Sequence, residues 1–157
     1  GFKIDYRNPM SQGTRAHQVA TYVVFDAPLV MLCDSPTRYM ADDACTRFIA
    51  SLPVVFDTTQ VLAGRIGEYI VTARRAGEKW YVGGLTDWTP RTLEADLSFL
   101  VPGREYTATL LCDECSDAEP ERHVITSQKV TSTTRLQIPV APGGGFALKI
   151  EPVETDE

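Results

Sequence analysis

The sequence has little of what most active sites are built from. It carries 2 histidines and 4 cysteines among 157 residues. Neither His17 nor His123 belongs to a motif that sets a Ser or Cys nucleophile beside a base, so the expectation for both is a structural role. There is one CxxC, Cys112 to Cys115, with Cys33 and Cys45 scattered elsewhere. A structural zinc site would call for a second pair at matched spacing. The CxxC also lies between strand patterns and does not precede a helix, as thioredoxin-like sites do. Free thiols or a disulfide are therefore favoured over zinc, and a Cys33–Cys45 pairing stays open.

Positive charge is scarce too. Net charge is −6, and Arg74-Arg75 is the one adjacent basic pair. Without a basic stripe to neutralise phosphates, no nucleic-acid partner is expected. The pair itself reads as a solvated strand end. No apolar run approaches the roughly 20 residues of a membrane-spanning helix. The opening Gly1-Phe2-Lys3-Ile4-Asp5 shows neither a signal peptide nor an initiator Met. That start suggests either processing or a beginning inside a longer polypeptide. Pro142-Gly143-Gly144-Gly145 is glycine-rich, but no Lys-Ser/Thr and no helix pattern follow it. It reads as a hairpin turn and not as a phosphate loop.

What is present suffices for a packed core: 43% hydrophobic and 23% charged residues. The first regular pattern is helical. Ser11 is a candidate N-cap for a helix to about Asp26, with Ala16, Val19, Ala20 and Val23 forming one stripe. Pro28-Leu29-Val30-Met31-Leu32-Cys33 follows as a continuous apolar run of strand length. Ser35-Pro36 then starts a second helix running to about Leu52, with Ala44, Phe48, Ile49 and Leu52 on its apolar face. Helix, buried strand, helix is the rhythm of a parallel α/β sheet. A single such unit cannot make a sheet, so the chain reads as the tail of something larger.

From Val54 the period shifts toward two. Strands are expected over 54–64, 67–75, 79–86, 91–97, 104–111, 122–130, 134–140 and 145–151. Turn clusters separate them, as in a β-sandwich or open barrel. Tyr69 to Ala73 and Trp80 to Val82 should pair as a hairpin around Gly77. The fold class is therefore mainly β: an antiparallel sandwich of about eight strands, preceded by a helix–strand–helix segment.

Two residues are candidates for a site. Asp34 lies at the carboxyl end of the apolar strand, where parallel sheets place functional groups, but it also suits a cap on the Ser35-Pro36 turn. Trp88, in the turn Thr86-Asp87-Trp88-Thr89-Pro90, is either a sugar-stacking platform or a turn plug. Glycoside hydrolysis would need two carboxylates about 5–10 Å apart, and no such pair stands out among the acids.

Several blocks together resemble a known family. They are Gly13-Thr14-Arg15-Ala16-His17-Gln18, Tyr22-Val23-Val24-Phe25-Asp26-Ala27-Pro28-Leu29, Met31-Leu32-Cys33-Asp34-Ser35-Pro36, Gly67-Glu68-Tyr69-Ile70-Val71-Thr72-Ala73-Arg74-Arg75, Trp80-Tyr81-Val82-Gly83-Gly84-Leu85-Thr86-Asp87-Trp88-Thr89-Pro90-Arg91 and Ala141-Pro142-Gly143-Gly144-Gly145-Phe146. In this order they resemble the C-terminal end of glycoside hydrolase family 97, whose members are α-glucosidases and α-galactosidases. The resemblance implies that residues 1–52 are the last part of a (β/α)8 catalytic barrel and that residues 53–157 are a C-terminal β-sandwich domain. It implies a catalytic partner in the rest of the barrel, and a periplasmic or cell-envelope location. The family's catalytic glutamates and calcium ligands match no position here, so neither a catalytic residue nor a cofactor is expected in this chain. Cys112 to Cys115 departs from the Gly- or Asn-containing turn of relatives.

The resulting expectation is a non-catalytic portion that supports the barrel, with a carbohydrate-binding module as the alternative. Its apolar strand should pack on the β domain or mediate self-association through residues 28–34, because an unpaired strand edge is a liability.

Overall fold

The computed structural model describes residues 12–27, 32, 35–114 and 122–153. Among them are three helices: α1 (Arg15–Val24), α2 (Pro36–Ala41) and α3 (Asp43–Ala50). Eight strands follow: β1 (Thr58–Arg65), β2 (Tyr69–Ala76), β3 (Lys79–Thr86), β4 (Arg91–Asp96), β5 (Tyr106–Asp113), β6 (His123–Val130), β7 (Arg135–Val140) and β8 (Gly145–Pro152). The expected strands therefore form, shifted by a few residues at their ends. The expected strand at 28–34 lies, apart from Leu32, outside the described residues.

The strands make two antiparallel sheets. Six run in the order β1-β2-β3-β8-β5-β6, and β4 pairs with β7 in a small second sheet. Period-two alternation divides the side chains of the large sheet between two cores. Val82, Phe146, Leu148 and Ile150 point toward the small sheet and meet Leu93, Ala95, Ile138 and Val140. Tyr81, Leu111 and Ala147 point the other way, onto Ala16, Val19 and Val23 of α1 and Cys45 and Phe48 of α3. The fold thus has three layers, with the large sheet in the middle. Its central strands are buried on both faces, which is why β3 and β8 read as near-continuous apolar runs.

Two glycines on β3 make the layers fit. A Cβ on Gly83 would lie 2.8 Å from Val24 Cγ2 and 2.9 Å from Val23 Cβ, so α1 approaches the sheet there closely. On the opposite face, a Cβ on Gly84 would lie 2.2 Å from the ring of Phe146, its cross-strand partner.

The structure corrects four expectations. First, Thr14 caps α1, its hydroxyl accepting from His17 N at 3.1 Å, so the helix starts after Ser11. Second, the second helix is broken. Asp42 leaves helical geometry (φ −128°, ψ 69°) and its carboxylate caps a new helix by accepting from Cys45 N at 3.3 Å. A short Asp side chain competes with the backbone in this way. Third, Pro142 to Gly144 is not a hairpin turn. It carries the chain from β7 in the small sheet to β8 in the large one. Fourth, Arg74 is not a solvated strand end: it is 5% exposed. The β2–β3 hairpin around Gly77 does form, with Gly77 at φ +60°.

Candidate functional site: the helix-docking face

The stripe of α1 is fully enclosed, with Ala16, Val19, Ala20 and Val23 each at most 1% exposed. Burying four such side chains favours docking by several kcal/mol, on the order of 1–2 each. That force is non-directional, and polar groups at the two helix ends fix the position.

At the C-terminal end, Arg74 reaches across from β2. Its Nη1 donates to Phe25 O at 3.1 Å and Val23 O at 3.4 Å, and its Nε donates to Thr59 Oγ1 at 3.1 Å. A cation here meets the unpaired carbonyls and the negative end of the helix dipole. The guanidinium also stacks 4.1 Å above the ring of Phe56. Its contact with Asp26 at 2.7 Å counts for less, because that carboxylate is 92% exposed.

At the N-terminal end, the β7–β8 corner receives the helix. Thr14 N donates to Gly143 O at 3.0 Å, and His17 Nδ1 lies 3.1 Å from Gly144 O. Asp113, the last residue of β5, braces the corner from beneath. Its Oδ2 accepts from Ala141 N at 3.1 Å and Gly145 N at 3.0 Å. Burial pushes the carboxyl above its ordinary range, while the two backbone amides pull it down. A Cβ on Gly144 would lie 2.0 Å from that carboxylate, so the bracing works only with glycine.

Beside the α1 N-terminus, Arg15 pairs with Asp42, and His123 Nε2 lies 3.4 Å from Asp42 Oδ2. Burial holds His123 below the usual imidazole value, against the opposing pull of Asp42. Burial, and then the same carboxylate, push the neighbouring Cys45 thiol up to about 11. Cys45 and Cys112 are both buried. Cys33 and Cys115 lie outside the described residues, as does Asp34.

Trp88 is 59% exposed in its turn. Its six-membered ring lies against Gly143, where a Cβ would come within 2.7 Å of Cζ3. Gly143 N donates to Asp87 O at 2.7 Å, so the corner holds this turn as well. The neighbouring open groove, of about 590 Å³, includes Val61, Ile66, Glu68, Tyr69 and Asp87. Its two acids share the guanidinium of Arg91, at 3.2 Å from Glu68 and 3.3 Å from Asp87. The Thr89 amide is the main cause that holds Asp87 below the usual carboxylate range. That suits a turn lock and not a general acid.

A sequence profile described as "Glycosyl-hydrolase 97 C-terminal, oligomerisation" matches residues 55–151. The chain belongs to glycoside hydrolase family 97. A retaining alpha-galactosidase of Bacteroides thetaiotaomicron is 50% identical over 147 residues, which is 93% of this chain and 22% of that protein. A probable retaining alpha-galactosidase of Streptomyces bingchenggensis is 33% identical over 132 residues, 84% of this chain and 20% of that protein. The chain thus spans about a fifth of the length of the curated relatives it matches. Among solved structures, a family 97 enzyme from Pseudoalteromonas sp. strain K8, in complex with acarbose, superposes with a TM-score of 0.86 at 31% identity. That match covers 91% of this chain and 23% of the other. A beta-arabinopyranosidase superposes with a TM-score of 0.73 at 27% identity, over 87% of this chain and 21% of its own.

The family 97 fold therefore holds here, mainly β with short helices, and the chain carries the family's C-terminal domain. Among the described residues, no helix is long and apolar enough to cross a membrane. Sequence reasoning missed Arg74 and Asp113. Their signal was parity: Arg74 faces the same way as its partner Tyr81, and Asp113 the same way as Leu111.

Proposed function

We propose that this chain is the non-catalytic C-terminal portion of a retaining α-galactosidase of family 97, and that its work is structural. The observation that carries this reading is the docking of α1. The β domain buries the helix's whole apolar stripe and pins both ends with Arg74 and the Gly143–Gly144 corner. In the full enzyme, residues 1–52 supply the last helix–strand–helix of the catalytic barrel, and residues 53–157 anchor that element from outside. The profile match beginning at residue 55 supports the division. The 50% identity to an α-galactosidase supports galactosides over glucosides as the parent's substrates. The catalytic glutamates and the calcium ion belong, on this reading, to the rest of the barrel, and the enzyme works in the periplasm or cell envelope. Self-association, through residues 28–34 or elsewhere on the domain, is supported by the profile's description.

The test is a chimaera. The purified chain is assayed on aryl α-galactoside and α-glucoside. In parallel, it replaces the matching portion of a family 97 α-galactosidase. Turnover of the galactoside by the chimaera, with none by the chain alone, is the expected result. Turnover by the isolated chain would overturn the reading, as would a folded but inactive chimaera.

The exposed indole of Trp88 favours a second reading, in which the domain also binds sugar. Melibiose should then change the tryptophan fluorescence of the chain, and the Trp88→Ala variant should lose that change. No change up to millimolar sugar removes this reading and leaves the structural one standing.

A further inference from the structure

We propose that Asp42, Cys45 and His123 form a three-ligand site for a zinc-class divalent metal ion. One ligand atom from each residue lies within 4.8 Å of the others. They come from two elements on the helix-covered face of the large sheet. Asp42 and Cys45 sit one turn apart at the start of α3, and His123 opens β6. The spacing of the imidazole and carboxylate is informative. Two ligands about 2.0–2.1 Å from a tetrahedral ion lie about 3.3 Å from one another. His123 Nε2 and Asp42 Oδ2 are 3.4 Å apart.

The set is also preorganised. Asp42 Oδ1 accepts from Cys45 N at 3.3 Å, which ties the carboxylate to the helix turn that bears the thiol. Arg15 pairs with Oδ2, the same oxygen that lies nearest His123, so an ion must displace the guanidinium from it, and the nearby positive charge weakens cation binding. A further carboxylate, Asp113, faces His123 across the β5–β6 ladder. Binding would release the Cys45 proton, and the resulting thiolate, with imidazole and carboxylate, selects zinc over calcium or magnesium, which prefer oxygen donors alone. The Cys45 side is buried, while the Asp42 side chain remains 24% exposed. Metal binding here would staple α3 to β6, and with them the helical layer to the sheet. It is independent of the parent enzyme's substrate.

The test uses the full chain, stripped with a chelator and titrated with Co²⁺ as a spectroscopic stand-in for Zn²⁺. A thiolate-to-cobalt charge-transfer band should grow to saturation at one equivalent and vanish on adding Zn²⁺. The Cys45→Ser variant should lose the band. A Cys33→Ser, Cys112→Ala, Cys115→Ser variant, which retains only the Cys45 thiol, should keep it. Zn²⁺ should raise the melting temperature of the native chain and leave that of His123→Ala unchanged. A band that survives in Cys45→Ser would overturn the proposal. So would the absence of any band in the native chain, which would reduce the cluster to a His–Asp ion pair beside a buried thiol.

Discussion

The two faces of the six-stranded sheet are covered in different ways. One meets the β4–β7 sheet through side chains such as Phe146, Leu148, Ile138 and Val140. The other meets the helices through Tyr81, Leu111 and Ala147, with Gly83 letting α1 approach closely, and is edged by Arg74 and Asp113. The first cover is joined to the sheet by short corners on both sides, so connectivity already restricts where it can sit. Helix α1 has no such restriction on its approach. Apolar burial alone would let it slide or rotate, since that attraction has no direction. Hydrogen bonds do have direction, and Arg74 and the Gly143–Gly144 corner supply them at opposite ends of the helix. One face therefore rests on packing, and the other on packing plus registration.

Mutations that act on one face and spare the other sharpen this contrast. The largest effect belongs to the sheet–sheet core. Phe146→Ala should cost about 3–5 kcal/mol, seen as a lowered urea midpoint with loss of both covers. Arg74→Ala comes next. It leaves the Val23 and Phe25 carbonyls without their buried donor, at about 2–3 kcal/mol. Arg74→Lys should recover only part of that loss, since an ammonium lacks the planar fork that spans the two carbonyls and Thr59. Equal stability of the Lys and native proteins in urea titration would refute the registration role.

Gly83→Ala should cost about 1–3 kcal/mol through overpacking against Val23 and Val24. Its signature is faster amide exchange in α1, with the β4–β7 ladder unchanged. If both slow and fast amides of the small sheet respond as well, the faces are not separable.

The smallest effect concerns the Trp88 turn. Asp87 titrates below its unfolded value, principally through the Thr89 amide. Its contribution is therefore present above the unfolded carboxylate value of about 3.9 and disappears as pH falls through the lower folded value. Trp88 emission should be flat from neutral pH to about 4 and change below it. The Asp87→Asn variant, with no charge to lose, should show no such step.

Much of this fold is legible in the sequence, and the failures have a common cause. Alternation and turn residues mark all eight strands, and the spacing of Ala16, Val19, Ala20 and Val23 marks the buried side of α1. Those signals are local. The Pro142–Gly145 corner was misread because a glycine-rich turn does not say which sheet the next strand joins. Arg74 looked solvated because what covers it, the end of α1, lies far away in sequence. Asp42 lies inside what reads as one continuous helix from Ser35-Pro36 to Leu52, yet it ends one helix and caps the next. At the candidate site, Trp88 is exposed in a turn held by the same corner that receives α1. The meeting of Asp42, Cys45 and His123 had no local signal, because β6 reaches α3 only through the assembled sheet.

The central claim is that α1 belongs to the same cooperative unit as the sheet it covers. Hydrogen exchange resolved to single peptides of the full chain tests it most directly. The amides of α1 should be protected to within about tenfold of those in β3 and β8, and should lose that protection selectively in Arg74→Ala, because exchange of a docked element reports its opening free energy. Exchange of α1 at the rate of an unstructured peptide, beside a protected sheet, would contradict the account.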